Sequence, residues 1–374
     1  MSIKTFELYL LSVIKKKRRG IFPSCLRGVL WLLSLPFQLA VTIRNSFFDR
    51  GWLRCYTPPV PLVISIGNIT TGGTGKTPAT LMIAEEFQHE AELAILSRGY
   101  RSQAERSSLP LVLSKDNGEM HPASFCGDEP VLLAQNLPKV HVIVGKDRYL
   151  SSKIAARLGV QVILLDDGMQ HRGIARDLEV VVMDLLDPFG QGYFLPRGLL
   201  REGKKALSRA DLIILNHLEN VEQFEGVKRQ ISSATSAPVV GTKLEVLGAF
   251  HLDDQPVESV KGAKVGIFCG IAHPEYFRNT IDKLGFEVVD EWFFPDHDAI
   301  DLEKLIPFSK RCQEKGAELL LCTEKDRVKL TEVESCLPIG WIKARLSVVE
   351  GQEYWNQFIL RAKNKIKSKI RESQ

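Results

Sequence analysis

From Val60 onward, short apolar runs rich in β-branched residues alternate with segments whose apolar positions recur at helical spacing. Such runs suit strands buried on both faces, and strands alternating with helices imply a mostly parallel sheet. The pattern predicts strands at 60–67, 93–97, 140–145, 160–166, 178–184 and 211–216. Helices are expected near 78–88, 129–137, 147–158, 199–208 and 220–232. A second alternation starts near Lys264, with strands at 264–270, 286–289, 318–322 and 339–344 and helices near 274–284 and 302–315. Between the two, around 235–262, the helical pattern stops and Ala237-Pro238 appears, which places a domain boundary there. From Trp355 the chain carries Ala362, Ile366 and Ile370 on one helix face, with lysines between them.

Residues 1–55 differ from everything that follows. A basic block, Lys15 to Arg19, precedes the apolar stretch from Val29 to Ile43. No small-residue cleavage site marks a signal peptide. The stretch is shorter than the ~20 residues a span requires, and Arg27 and Pro36 interrupt its extension. Basic residues flank both sides, so the charge asymmetry that orients a span is missing. An interfacial anchor with Trp31 and Phe37 among lipid chains fits these features. A helical hairpin packed on the protein itself is the other reading.

Charge strengthens the membrane reading. The formal net charge of +4 is unevenly spread: residues 1–60 hold ten Lys/Arg against Glu7 and Asp49, and residues 361–374 hold six against Glu372. The 300 residues between them carry a net −9. A nucleic-acid enzyme more often places its basic patch on the catalytic body, whereas basic ends suit an anionic membrane surface. No nucleic-acid partner is therefore expected, and the chain is expected to be a monomer. Seven cysteines without a C-x-x-C pair point to reduced thiols in a cytosolic setting.

The strongest chemical signal is Gly67-Asn68-Ile69-Thr70-Thr71-Gly72-Gly73-Thr74-Gly75-Lys76-Thr77-Pro78, between the first strand and its helix. Gly72, Gly73, Thr74 and Gly75 form a loop whose N–H groups can converge on phosphate oxygens, and Pro78 opens the helix. Lys76 would bridge the outer phosphates and the Thr77 hydroxyl would ligate Mg²⁺. Thr70 stands where the strict pattern has its first glycine. The apolar run ending in Asp166-Asp167 resembles a Walker B strand, whose acids can hold Mg²⁺ or its water ligands.

Further candidates lie at strand ends: Arg98 and Tyr100 in Ser97-Arg98-Gly99-Tyr100, Gln170 and His171 after the acids, and Arg201 in Leu195-Pro196-Arg197-Gly198-Leu199-Leu200-Arg201-Glu202. Together they suit an anionic, hydroxyl-rich acceptor. Asp128 in Gly127-Asp128-Glu129-Pro130 reads either as a helix cap or as a base near the γ-phosphate. His297, flanked by Asp296 and Asp298, reads either as a surface turn or as half of a catalytic dyad. Thr323-Glu324-Lys325-Asp326, after an apolar strand, is a weak purine-loop signal.

These stretches, in this order, resemble the tetraacyldisaccharide 4′-kinase family of lipid A biosynthesis. The resemblance implies transfer of the ATP γ-phosphoryl group to the 4′-hydroxyl of a tetraacylated glucosamine disaccharide 1-phosphate, at the cytoplasmic face of the inner membrane. It implies Asp128 as base paired with His297, and Thr77 with Glu202 as Mg²⁺ ligands. It places Arg98, Tyr100, Arg148, Asp166, Asp167, Gln170, His171 and Arg201 around nucleotide phosphates or acceptor. The family usually has Phe at the position of Met169, and Asp298 stands where a second His is common. The expected architecture is α/β: a membrane-associated helical segment (1–55), a P-loop kinase domain with a mostly parallel sheet (56–240), and a smaller α/β domain (241–374) that closes over ATP and ends in a basic helix. A membrane-bound P-loop ATPase switch that phosphorylates nothing is the competing reading.

Overall fold

The computed structural model describes residues 3–373 except 101, 114–119, 259–260, 296–297 and 331–333. In chain order its elements are α1 (Ile3–Ile14), α2 (Ile21–Asp49), β1 (Leu62–Gly67), α3 (Lys76–Phe87), β2 (Leu93–Ser97), β3 (Leu111–Leu113), α4 (Ala123–Cys126) and α5 (Asp128–Asn136). There follow β4 (His141–Val144), α6 (Arg148–Arg157), β5 (Val162–Asp166), β6 (Leu178–Asp184), β7 (Leu212–Asn216), α7 (Val221–Ile231) and β8 (Val239–His251). The chain ends with β9 (Lys264–Cys269), α8 (Pro274–Leu284), β10 (Glu287–Phe293), α9 (Leu302–Glu314), β11 (Leu319–Thr323), α10 (Glu324–Arg327), β12 (Ile339–Glu350) and α11 (Gln352–Ser373).

Two compact units make up the chain. The first comprises 1–76, 165–243 and 348–374, the second 77–164 and 244–347. In the first, β1 pairs with β6, β6 with β7 and β7 with β8, all parallel. Every residue of β1, β6 and β7 is buried, which is why these strands appear in the sequence as unbroken apolar runs. One face of this sheet is filled by Ile69, Met169, Val181, Leu200, Leu207 and Phe224, among others. Met169 packs so closely on Gly67 that a Cβ there would lie 2.5 Å from the Met169 Cβ, so β1 must end in glycine. Helix α11 belongs to the same unit: it buries Trp355, Phe358, Ala362 and Ile366, and Arg361 and Lys369 pair with Asp211 and Asp177. Two of the terminal cations thus face the protein's own acids.

In the second unit β2 pairs with β4 in parallel and β3 with β4 antiparallel. Parallel pairs also join β9 to β10, β9 to β11, and β11 to β12. Val265, Ile267, Phe277, Ile281 and Leu321 fill one face of the latter group, and Phe268, Phe308, Leu320 and Trp341 the other.

Two sequence expectations need correction. The apolar N-terminal stretch is not broken at Arg27 or Pro36: α2 runs unbroken for 29 residues, long and apolar enough to cross a membrane. Its residues Leu32, Leu35, Leu39 and Ile43 are exposed. No α-helix forms at 199–208; Leu200 bridges to Thr70 and Phe194, and only a short 3₁₀ turn follows at Lys204–Arg209. Local propensity there yields to long-range backbone pairing. The 13-residue strand β8 runs through the stretch 235–262.

Candidate active site

The phosphate-binding loop grows out of β1 and enters α3 directly at Lys76. Gly72 and Gly75 adopt φ of 109° and 89°, a region open to glycine and costly for other residues. The loop is braced from both sides: the Asn68 side-chain amide donates to Thr74 Oγ1 at 3.0 Å, and the Asn216 amide donates to the Thr74 carbonyl at 3.3 Å. A Cβ on Gly75 would overlap the Asn216 side chain, so loop and β7 end meet only because that residue is glycine. Gly73 is exposed, Thr74 is buried, and Thr77 and Pro78 occupy the first turn of α3.

Behind Lys76 lies a charged cluster of the first unit. Asp166 closes β5 and is buried; Asp167, the next residue, takes a left-handed backbone with φ 50°, which Asp tolerates better than most residues. That turn sends 168–172 back under β1, with the Gly168 N–H donating to the Ile66 carbonyl at 3.0 Å. The Asp167 carboxylate lies 3.7 Å from the Lys76 ammonium and accepts two 2.9 Å hydrogen bonds from Arg201. Arg201 also donates to Gln170 Oε1 at 3.0 Å. His171 is exposed at the edge of this turn.

Glu202 is fully buried, and four N–H donors take both of its oxygens: Asn45 at 2.6 Å, Gln170 at 3.1 Å, and Arg209 at 2.9 and 3.1 Å. It anchors the last turns of α2 to the motif residues around it. Arg172 completes this anchor, pairing with Asp49 at 2.6 Å and donating to the Asn45 carbonyl at 3.0 Å. Glu202→Ala strands Arg209 without its counter-ion, and stability is expected to fall by about 3–5 kcal/mol. Chemical denaturation without nucleotide or Mg²⁺ checks this; an unchanged midpoint means that Glu202 matters only once a metal is bound.

The second unit gathers another set. Gly127, with φ 94°, is the N-cap of α5, and Asp128 is the first helical residue rather than the cap. An acid in that first turn is favoured by the helix dipole. The Lys325 and Lys329 ammonium groups lie 3.6 and 3.8 Å from Asp128 Oδ2. Lys325 lies on α10, whose start is capped by Thr323, and Lys329 follows just beyond its end. Asp326 fixes α10 by accepting from the Gly270 N–H at 3.0 Å and from Thr323 at 2.6 Å. Gly99 packs against Gly127 (3.6 Å from its would-be Cβ), which brings Arg98 and Tyr100 beside the Asp128 turn. Arg98 pairs with Glu105 at 2.7 Å, and Tyr100 is half exposed. Arg148 is buried at the start of α6 and donates to the Gly145 carbonyl at 2.8 Å. His297 lies outside the described residues, so its pairing with Asp128 has no geometry to report.

Sequence reasoning missed Asn45, Asn216, Arg209 and Lys329. Asn216 alone had a local signal, since it ends a strand of an open α/β sheet, where ligands usually bind. Asn45 and Lys329 act through partners far away in sequence, and Arg209 through Glu202 seven residues before it.

A glycine loop and lysine between strand and helix, backed by acids and arginines at strand ends, define a P-loop protein of the phosphotransferase type. Comparison with known proteins narrows this. The family model described as Tetraacyldisaccharide-1-P 4′-kinase matches residues 26–363. The Tetraacyldisaccharide 4′-kinase of Syntrophus aciditrophicus is 35% identical over 337 residues, covering 86% of this chain and 89% of its own. The enzyme of that description from Chlamydia pneumoniae is 36% identical, covering 88% and 91%. A crystal structure of LpxK from Aquifex aeolicus in complex with ATP superposes with a TM-score of 0.72 at 30% identity, over 90% of this chain and 99% of that one. The chain belongs to the tetraacyldisaccharide 4′-kinase family and is a kinase.

Proposed function

We propose that the chain transfers the γ-phosphoryl group of ATP to the 4′-hydroxyl of a tetraacylated glucosamine disaccharide 1-phosphate. The observation that carries this reading is the glycine loop ending in Lys76 against the Asp167–Arg201 pair, in a chain of this family. Loop N–H groups from Gly72 to Gly75 cradle the phosphates, and Lys76 offsets charge on the group in transfer. Arg98, Tyr100, Arg148, Asp166, Gln170, His171 and Arg201 orient phosphates and acceptor. Asp128, paired with His297, takes the proton of the acceptor hydroxyl. Lys325 on α10 and Lys329 just after it hold the Asp128 carboxylate in place.

The oxygen donors present fit Mg²⁺. This ion binds through one or two protein oxygens together with substrate phosphate and needs no all-protein cage. Thr77 and Asp167, the latter one-third exposed, would hold it. Glu202 would join them only by giving up one of its four N–H partners. When bound, the ion supplies charge neutralisation at the β- and γ-phosphates.

Incubating the protein with γ-labelled ATP and the lipid acceptor tests the reading. Label in lipid is expected. Label only in free phosphate instead supports an ATPase switch.

The exposed apolar residues of α2 support its association with a membrane surface; the same proposal puts that surface at the anionic cytoplasmic face of the inner membrane, with the protein acting as a monomer. Deleting residues 1–55 cannot isolate that role, because it also removes Asn45 from Glu202. Replacing Leu32 and Leu39, 59% and 61% exposed on one helix face, by Glu leaves that anchor intact. Each leucine withdrawn from lipid forfeits about 1.5–3 kcal/mol, so vesicle partitioning is expected to fall at least about 100-fold. Co-sedimentation measures it, and undiminished binding rejects the anchor.

A further inference from the structure

Arg197 is buried to 7% exposure, yet among the described residues no carboxylate partners it. Its Nη1 has no hydrogen-bond partner, and its guanidinium lies over the Tyr193 ring, 4.4 Å from the centroid. The cations Arg201, Arg209 and Arg176 of the same unit each have an acid within 3 Å: Asp167, Glu202 and Glu179 respectively. Burial lowers the Arg197 pKa, Tyr193 raises it, and the like charge of Arg27 on α2 lowers it further. A buried cation without a counter-ion is costly, and such groups normally meet an anion.

The surroundings indicate which anion. The segment carrying Arg197 is fastened to the phosphate loop, with the Thr71 N–H donating to the Leu199 carbonyl and the Arg201 N–H to the Ile69 carbonyl, each at 2.8 Å. Three residues before Arg197, Phe194 meets Phe37 of α2, ring centroids 6.4 Å apart. Arg197 therefore stands between the phosphate cradle and the exposed apolar helix. A molecule that reaches from lipid to the loop and carries its own phosphate would pass it.

We propose that Arg197 forms a phosphomonoester subsite that takes the 1-phosphate of the lipid acceptor while its other sugar faces the phosphate loop. The proposal rests on the acceptor assigned above. A planar guanidinium can grip a phosphate with two parallel hydrogen bonds, which gives it both affinity and orientation.

The test uses the full chain in mixed micelles with two acceptors: the tetraacyldisaccharide with its 1-phosphate and the same lipid without it. Wild type is expected to prefer the phosphorylated acceptor by about 10- to 100-fold in kcat/KM, the range for a hydrogen-bonded charge. Arg197→Gln is expected to reduce that preference to near unity, mainly through KM. Arg197→Lys, which keeps the charge but loses the fork, should give an intermediate preference and serves alone if the glutamine variant does not fold. A folded variant of either kind with the full wild-type preference overturns the proposal. Equal use of both acceptors by wild type also overturns it and leaves the kinase reading standing; failure to phosphorylate either acceptor removes the kinase reading itself. Phosphatidate in the micelles separates the sources of phosphate. Inhibition of wild type that vanishes in Arg197→Gln, without any 1-phosphate preference, would assign the subsite to a membrane headgroup and overturn the acceptor assignment.

Discussion

Lys76→Ala is expected to lower turnover on the order of 10²–10³-fold, the usual cost of removing a preorganised charge from a transferring group. The first residue of α3 delivers this ammonium next to Asp167, and the side chain is only 17% exposed, so water replaces it poorly. Stability should change little, because Asp167 keeps both hydrogen bonds from Arg201. Lys76→Arg should not restore the rate. A guanidinium is wider than an ammonium, and a loop closed by Asn68 and Asn216 has no room to adapt. Steady-state kinetics with ATP and the lipid acceptor measure the effect. Near-normal turnover in the alanine variant would remove the P-loop assignment.

Asp128→Asn is expected to cost about 10²–10⁴ in turnover while leaving the fold in place. The helix start is secured by Gly127 rather than by the Asp128 side chain, so the loss at the helix dipole is at most about 1 kcal/mol. Melting and kinetics on the same samples separate the two roles; parallel loss of both would return Asp128 to a structural part. His297→Ala acts on the same proton in this scheme, so the double variant should be far from multiplicative. Lys325→Met removes a cation facing Asp128 and should lower turnover more than it lowers melting temperature. An unchanged rate would leave Lys325 as a surface cation that happens to lie near the site.

Strands β1, β2 and β4 to β7 were legible because burial on both faces leaves an unmistakable composition, whereas the short β3, only partly buried, left no such run. Leu62–Gly67 and Leu178–Asp184 contain no exposed residue, and no other local structure asks for that pattern. The phosphate loop was legible for a related reason: its chemistry needs glycines, a lysine and a hydroxyl in consecutive positions. Misreadings occurred where backbone partners are remote. Leu199 to Glu202 has helical composition, but its hydrogen bonds go to Ile69 and Thr71. Arg27 and Pro36 looked like interruptions, yet one proline costs a 29-residue helix only locally.

Order along the chain determined the class of the protein: which strand meets the glycine loop, which acids end the next buried strand, and which motifs follow. These are local facts, since a β-strand and its loop are specified by neighbouring residues. Tertiary structure alone decided what each charge does. Asn45 and Glu202 are 157 positions apart and 2.6 Å apart in space, and nothing near either residue announces the other. Asp128 became a residue between two lysines rather than a helix cap only when α10 packed beside α5. Arg197 was one of several basic residues in a motif until folding buried it without a described carboxylate partner. Charge has no periodicity that a sequence must obey. Its meaning depends on distance and on water, and both are set only when the chain has closed on itself.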